Sequence, residues 1–192
     1  MLDKLLLAGI LKIHSTAGAK RRQIQAIASE ILGASKRSIF ATQRKDAKKS
    51  AVEIKQAVEL IAKGKLLIKE RARLDNEGIW KSALEEYAEA ALYHNAMTGK
   101  PISWLKEIPK EETDAYIGAL SDLSGELTRS IVLLATERDM KEVKRLSGLV
   151  RDIVAFLLDL DLTGNLRQKF DQAKQNLRKV EEICFDLSLK SR

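Results

Sequence analysis

The stretch "EEYAEAA" places three carboxylates, Glu85, Glu86 and Glu89, within little more than one turn of a helical pattern. Residues three or four apart on a helix share a face, so Glu86 and Glu89 project together beside the apolar stripe Trp80, Leu84, Tyr87, Ala88 and Ala91. Further along, the polar row Asp122, Glu126 and Arg129 borders a second stripe, Tyr116, Ile117, Leu120, Leu123, Leu127, Ile131 and Leu134. If the two segments are neighbours, four carboxylates converge. Such a group repels itself and raises its own pKa values unless a divalent cation neutralises it. Oxygen-only ligands suit Mg²⁺ or Mn²⁺. His94 falls off the face of Glu89 and has Ala91 three positions before it, so the Glu-x-x-His pairs of di-iron bundles are absent. A hard metal held by carboxylates beside a basic surface points to phosphodiester cleavage. Ordinary surface charge, with Asp122 and Glu126 solvated or paired with Arg129, is the competing reading of the same spacing.

The basic surface is visible in the charge distribution. The 192 residues carry 34 Lys plus Arg against 27 Asp plus Glu, a net charge of +7. Between Gly18 and Leu74 stand 15 basic and 5 acidic residues, a local +10 that leaves −3 for the rest of the chain. A surface polarised in this way suits a polyanion, nucleic acid above all, whereas two solvated Lys-rich helices are the plainer alternative. The one cysteine, Cys184, cannot form an intramolecular disulfide or a thiolate metal site, which suggests a reducing compartment, the cytoplasm. It is expected to be a small buried residue on the C-terminal helix.

The elements that must position these groups are helices. Two prolines, ten glycines and abundant Leu, Ala, Lys and Glu predict an all-α fold, an antiparallel bundle of six to seven helices in a single domain spanning residues 1–192. The opening "MLDKLLLAGILKIHSTAGA" resembles a signal peptide only superficially, because Asp3 sits in the would-be basic region and Gly9 and Lys12 break the apolar run. Residues 1–17 are expected to be an accessory N-terminal helix or a frayed segment, and no stretch approaches a membrane span. A first long helical pattern starts after Ser15 to Gly18, with Ile24, Ile27, Ile31, Ile39 and Phe40 as its stripe; a second carries Val52, Ile54, Val58, Ile61 and Leu66, continuous with the first or separated from it near Ser50. Asp75 and Asn76 are N-cap candidates for the helix of "EEYAEAA". Gly99, Pro101 and Pro109 break the pattern, helix resumes near Lys110, and the last helix enters at Thr163 to Asn165.

The wider strings "YIGALSDLSGELTRS" and "LRQKFDQAKQNLRKVEEICFDLSLK", with "SKRSIF" at residues 35–40, resemble the translin family from about Arg22 to Leu189. "EYAEA" and "SDLSGEL" keep the E-x-x-E pair and the aspartate that translin itself lacks, so the chain is similar to the translin-associated factor X branch. That resemblance implies a translin-type bundle and a Mg²⁺-dependent endoribonuclease acting on single-stranded RNA, with single-stranded DNA as a second candidate substrate. It implies Glu86, Glu89 and Asp122 as catalytic metal ligands, Glu126 as a further ligand, and Lys36, Arg37 and Arg129 as phosphate contacts. Arg clamps phosphate oxygens in pairs, whereas Lys acts as a point charge. Glu85 is expected to be a bystander, Lys48 and Lys49 ordinary surface charge. The resemblance further implies a homo-oligomeric barrel, an octamer, with nucleic acid inside. The chain lacks the long basic N-terminal tail of the eukaryotic factor X pattern and has a short connection between its carboxylate helices, which suggests a compact prokaryotic or archaeal form without the silencing role. A non-catalytic, translin-like binding protein for single strands is the alternative. Aromatics are few, so weak sequence preference is expected.

Overall fold

A computed structural model describes residues 3–70 and 74–190 of the chain. Among them are six helices and no strand: α1 (Lys4–Gln43), α2 (Ala47–Glu70), α3 (Gly78–Met97), α4 (Thr113–Thr136), α5 (Met140–Leu158) and α6 (Gly164–Lys190). The all-α expectation holds at its lower count.

Helix α1 begins much earlier than periodicity suggests. Asp3 caps it by accepting from the Leu5 amide at 2.9 Å. The Ser15 and Thr16 hydroxyls donate back to the Lys12 carbonyl at 3.0 and 2.9 Å, so the expected break at residues 15–18 is absorbed within the helix. The result is one helix of 40 residues, ~60 Å long. Its first turns leave Leu5, Leu6, Leu7, Ile10, Leu11 and Ile13 exposed.

The break between α1 and α2 comes before Ser50, at Arg44 to Asp46. Lys45 adopts a φ of 62°, and the Asp46 amide donates to the Ala41 carbonyl at 2.9 Å, closing α1. Asp46 then accepts from the Lys49 amide at 3.0 Å and caps α2. Ser50 lies buried one turn inside α2. Helix α3 is entered through Glu77 rather than Asp75 or Asn76, without a side-chain cap. Helix α4 starts at Thr113, after the Gly99 and Pro109 segment, and α5 is capped by Asp139 accepting from the Glu142 amide at 3.1 Å.

Two apolar clusters form the core. Ile24, Ile31, Ile61, Trp80, Leu84 and Tyr87 join α1, α2 and α3. Leu92, Tyr93, Leu123, Leu127, Leu146 and Val150 join the far half of α3 to α4 and α5, and Phe170 and Val180 add α6. Each large aliphatic side chain taken from water contributes roughly 1.5–3 kcal/mol before entropy is set against it. The close fit of α2 on α3 depends on Gly64, where a methyl group would stand 2.3 Å from the Trp80 ring. Three residues assigned to apolar stripes are instead exposed, Phe40 at 53%, Val52 at 66% and Leu66 at 63%. Phe40 follows buried Ile39 one position round α1, and α2 packs chiefly on α1 and α3, with Val52 and Leu66 on its outer face. Helices α3 and α4 contribute to both clusters, and the carboxylate rows lie on this shared pair.

Candidate functional site

Helix α3 brings its acids to α4 because small residues allow close approach. Ala83, Ala88, Ala90 and Ala91 are buried on α3, and Gly118 faces it from α4. A methyl group at Gly118 would stand 2.5 Å from the Glu85 carboxyl carbon. The stripe Trp80, Leu84, Tyr87, Ala88, Ala91 is buried as expected, whereas Ile117 and Leu120 of the α4 stripe are only half-buried.

Glu89 is the most enclosed of the acids, 9% exposed. Burial, then the charges of Asp122, Glu86 and Glu126, push its carboxyl up to about 8, with Lys169 pulling the other way. Glu86 is half-buried and also raised, first by burial and then by Asp122 and Glu85, against the pull of Lys36 and Lys169. The four predicted ligands therefore share one electrostatic neighbourhood, and Lys36 of α1 stands at its edge.

Lys169 on α6 was not expected there. Its ammonium donates to Asp122 and, at 2.7 Å, pairs with Glu85. Burial alone would lower its pKa, but these two bonds outweigh that and hold it raised. Glu85 is thus no bystander, since it anchors the cation that also holds Asp122. Glu126 is held separately, accepting from Gln43 at the end of α1 at 2.6 Å. Neither Lys169 nor Gln43 could be found from helical periodicity, because the signal is the packing of α6 and α1 against α4.

The three predicted phosphate contacts separate. Lys36 and Arg37 are exposed on α1, but Arg37 donates from Nε to Glu53 at 2.9 Å and from Nη2 to Gln56 at 3.3 Å, turning it toward α2. Arg129 is exposed on α4, and its charge acts on the Tyr93 hydroxyl, itself 2.7 Å from the Ser130 hydroxyl. His94 is buried, its pKa lowered by burial and by Lys100, and its Nδ1 lies 2.9 Å from the Ser50 hydroxyl. Thr42 donates to Ser50 at 2.8 Å and Ser38 stands 2.9 Å from it, so this buried polar network clamps α1 and α2 to α3. Cys184 is half-buried, 3.4 Å from the Ser147 hydroxyl.

The donor chemistry suits a hard divalent cation: oxygens alone, with one carboxyl, Glu89, pushed toward neutrality first by burial and then by its acidic neighbours. Among the described residues, no three His, Cys, Asp or Glu side chains stand together as a formed ligand set. Lys169 supplies part of the counter-charge in this arrangement. The fit to Mg²⁺ or Mn²⁺ is therefore one of ligand type, with Glu86, Glu89, Asp122 and Glu126 as donors and Lys169 as a competing cation.

The model of the translin family matches residues 19–191. Uncharacterized protein MJ0175 of Methanocaldococcus jannaschii is 28% identical over 120 residues, covering 60% of this chain and 54% of that protein, so the chain spans about half the length of the relative it matches. AfC3PO solved in complex with duplex RNA superposes with a TM-score of 0.84 at 21% identity, over 96% of this chain and 97% of that one. Apo-NeC3PO superposes with a TM-score of 0.81 at 19% identity, over 95% and 96% of the two chains. At these identities the likeness establishes the fold.

Proposed function

The chain belongs to the translin family, and on that premise we propose that it is a divalent-metal-dependent endoribonuclease of the translin-associated factor X type, cleaving single-stranded RNA. The observation that carries this reading is the gathering of Glu86, Glu89, Asp122 and Glu126 on α3 and α4, with Glu89 pushed up to about 8 and basic Lys36 at the edge. Mutual repulsion of this kind is relieved when a cation binds, which supports the reading.

When bound, Mg²⁺ or Mn²⁺ would supply an activated water and a positive charge at the phosphorane-like transition state. The protein's own groups do the positioning. Glu86, Glu89, Asp122 and Glu126 would hold the ion, Gln43 fixes the orientation of Glu126, and Lys169 restrains Asp122 and Glu85 from α6. Lys36 and Arg129 would serve the phosphodiester backbone, and Arg37 would join them only by leaving Glu53 and Gln56. A flexible strand can bend one phosphate into an enclosed cluster more easily than a duplex can, which favours single-stranded RNA and places single-stranded DNA second. RNA as the ligand class is supported by the duplex held in the AfC3PO structure.

A homo-oligomer, with the octameric barrel as its form, belongs to the same proposal. It is supported by large apolar side chains left exposed at both ends of the chain, Leu5, Leu6 and Ile10 on α1 and Phe185 and Leu189 on α6. A cytoplasmic location accords with the single cysteine.

One observation favours a second reading, a non-catalytic binding protein for single strands: Lys169 already answers Asp122 and Glu85 from within. RNA cleavage by the wild type beside Asp122→Ala, with Mg²⁺ or Mn²⁺ present and then chelated, separates the two. Metal-dependent scission lost in Asp122→Ala is expected. Single-stranded RNA that is bound but left intact, with binding unchanged by Asp122→Ala, would establish the second reading instead.

A further inference from the structure

Where α1 turns into α2, a cavity of about 480 Å³ opens between Lys36, Arg37, Phe40, Arg44, Asp46 and Lys49. Five of its six named wall residues are not acidic, and the sixth, Asp46, is occupied by the Lys49 amide at the start of α2. Phe40 is the unusual member. Helical spacing assigns it to the core, yet it stands 53% exposed in the cavity wall. The Arg44 guanidinium lies 4.9 Å from its ring centroid and covers part of one face, so ring surface remains open to a ligand.

This wall is rigid. The opposite side of the same turns of α1 is buried through Ser38, Ile39 and Thr42, and the Ser38, Thr42, Ser50, His94 network ties it to α2 and α3. Arg37 is fixed by Glu53 at 2.9 Å. An exposed aromatic on a rigid basic wall matches a nucleotide in both its parts, a π-face for the base and cations for the phosphates. The cavity falls within the size range of small-ligand sites. Lys36 connects the two places: it lines the cavity and its charge also reaches Glu86 of the carboxylate cluster.

We propose that this cleft is a nucleotide subsite for a single-stranded nucleic acid, in which the Phe40 ring stacks on a base while Lys36, Arg44 and Lys49 hold the flanking phosphates and lead the strand toward Glu86. It rests on the nucleic-acid reading above and extends it to residues which that reading leaves aside. Stacking on one ring is tolerant of base identity, so the subsite orders the strand without selecting sequence. A duplex keeps its bases stacked on one another and offers no free face to Phe40.

The test is the affinity of the full chain for a single-stranded RNA oligonucleotide carrying 2-aminopurine, measured with divalent metal chelated so that cleavage does not intrude. Phe40→Ala is expected to weaken binding by roughly 5- to 100-fold and to abolish the fluorescence quenching seen with wild type, while Phe40→Trp restores both. The salt dependence should be unchanged in Phe40→Ala, because stacking carries no charge. In Arg44→Ala/Lys49→Ala it should become shallower, by about 0.7 in log–log slope for each phosphate that is no longer neutralised. Affinity for duplex RNA should be unaffected by Phe40→Ala.

Wild-type binding that is undiminished and equally quenched in Phe40→Ala overturns the subsite and leaves the broader reading standing. So does a loss on duplex RNA equal to that on single strands, or a change in assembly mass that accounts for the weaker affinity, which would make Phe40 an interface residue between copies. A wild type that binds neither RNA nor single-stranded DNA overturns both. Phe40-dependent binding by a protein that never cleaves keeps the subsite and removes the nuclease.

Discussion

The carboxylate cluster and the basic cleft are built on opposite principles. On α3 and α4 the acids are buried or half-buried and are answered from neighbouring helices: Lys169 joins Asp122 and Glu85, and Gln43 holds Glu126. On α1 and α2 the charged groups stand at the surface, where Lys36, Arg44 and Lys49 border a cavity and Arg37 is paired with Glu53. Enclosed like charges make a local field whose strength depends on geometry and protonation. Exposed cations make a long-range field that salt screens. The first arrangement suits chemistry at one point, the second capture of a chain of phosphates.

The largest effect should come from breaking the enclosed side. Asp122→Ala or Glu89→Ala should reduce RNA scission at least about a hundredfold, judged from what even indirect changes around metal sites cost, while binding measured in chelator stays within a few-fold of wild type. Loss of binding in proportion to loss of cleavage would merge the two regions into one.

The pH dependence of folding sharpens the same contrast. Burial and the neighbouring acids raise Glu89 from an ordinary 4.5 to about 8, so between those values the folded chain holds a proton that the unfolded chain has released. Stability should therefore fall as pH rises from about 4.5 to about 8 and level off above, by up to a few kcal/mol at the conversion of about 1.4 kcal/mol per unit. Denaturant unfolding of Glu89→Gln should show a flatter profile and greater stability than wild type at pH 8 and above. Millimolar Mg²⁺ or Mn²⁺ should recover the wild-type loss but leave Glu89→Gln less affected.

Lys169 tests whether the cluster needs an internal cation. Lys169→Met leaves Asp122 and Glu85 unanswered and should destabilise the metal-free chain by about 1–2 kcal/mol, less than a fully buried pair would cost because solvent reaches it. Divalent cation should restore the melting temperature more in this variant than in wild type. If cation has no effect on either protein, the acids are a structural ion network.

The smallest effect probes how closely α3 and α4 approach. Gly118→Ala puts a methyl group 2.5 Å from the Glu85 carboxyl carbon, and the end of that side chain must shift. A cost of about 1 kcal/mol is expected in unfolding, with weaker Lys169 anchoring visible as a lower Lys169 pKa by NMR titration. An unchanged titration would separate Glu85 from the site.

Periodicity made the all-helical architecture and the paired acidic rows legible, because a 3.6-residue repeat places Glu86 with Glu89 and Asp122 with Glu126 on the borders of apolar stripes. It failed in two local ways, by misplacing a break and by misjudging the edge of a packed face. The hydroxyls of Ser15 and Thr16 satisfy themselves on Lys12, so an apparent break became continuous helix. Phe40 carries the right spacing for a core position but lies one step outside the packed face.

What the sequence determined by itself is therefore local: helix type, the face each acid shares, the excess of positive charge between Gly18 and Leu74, and membership of a family through strings along most of the chain. Only tertiary structure decided that Lys169 enters the acidic cluster, that Glu85 anchors it, that Arg37 is turned to Glu53, and that Phe40 faces a basic cavity. The physical reason is range. Backbone periodicity governs neighbours within two turns of one helix, whereas the potential at a carboxylate is the sum over every charge that packing brings near it, whatever its distance along the chain.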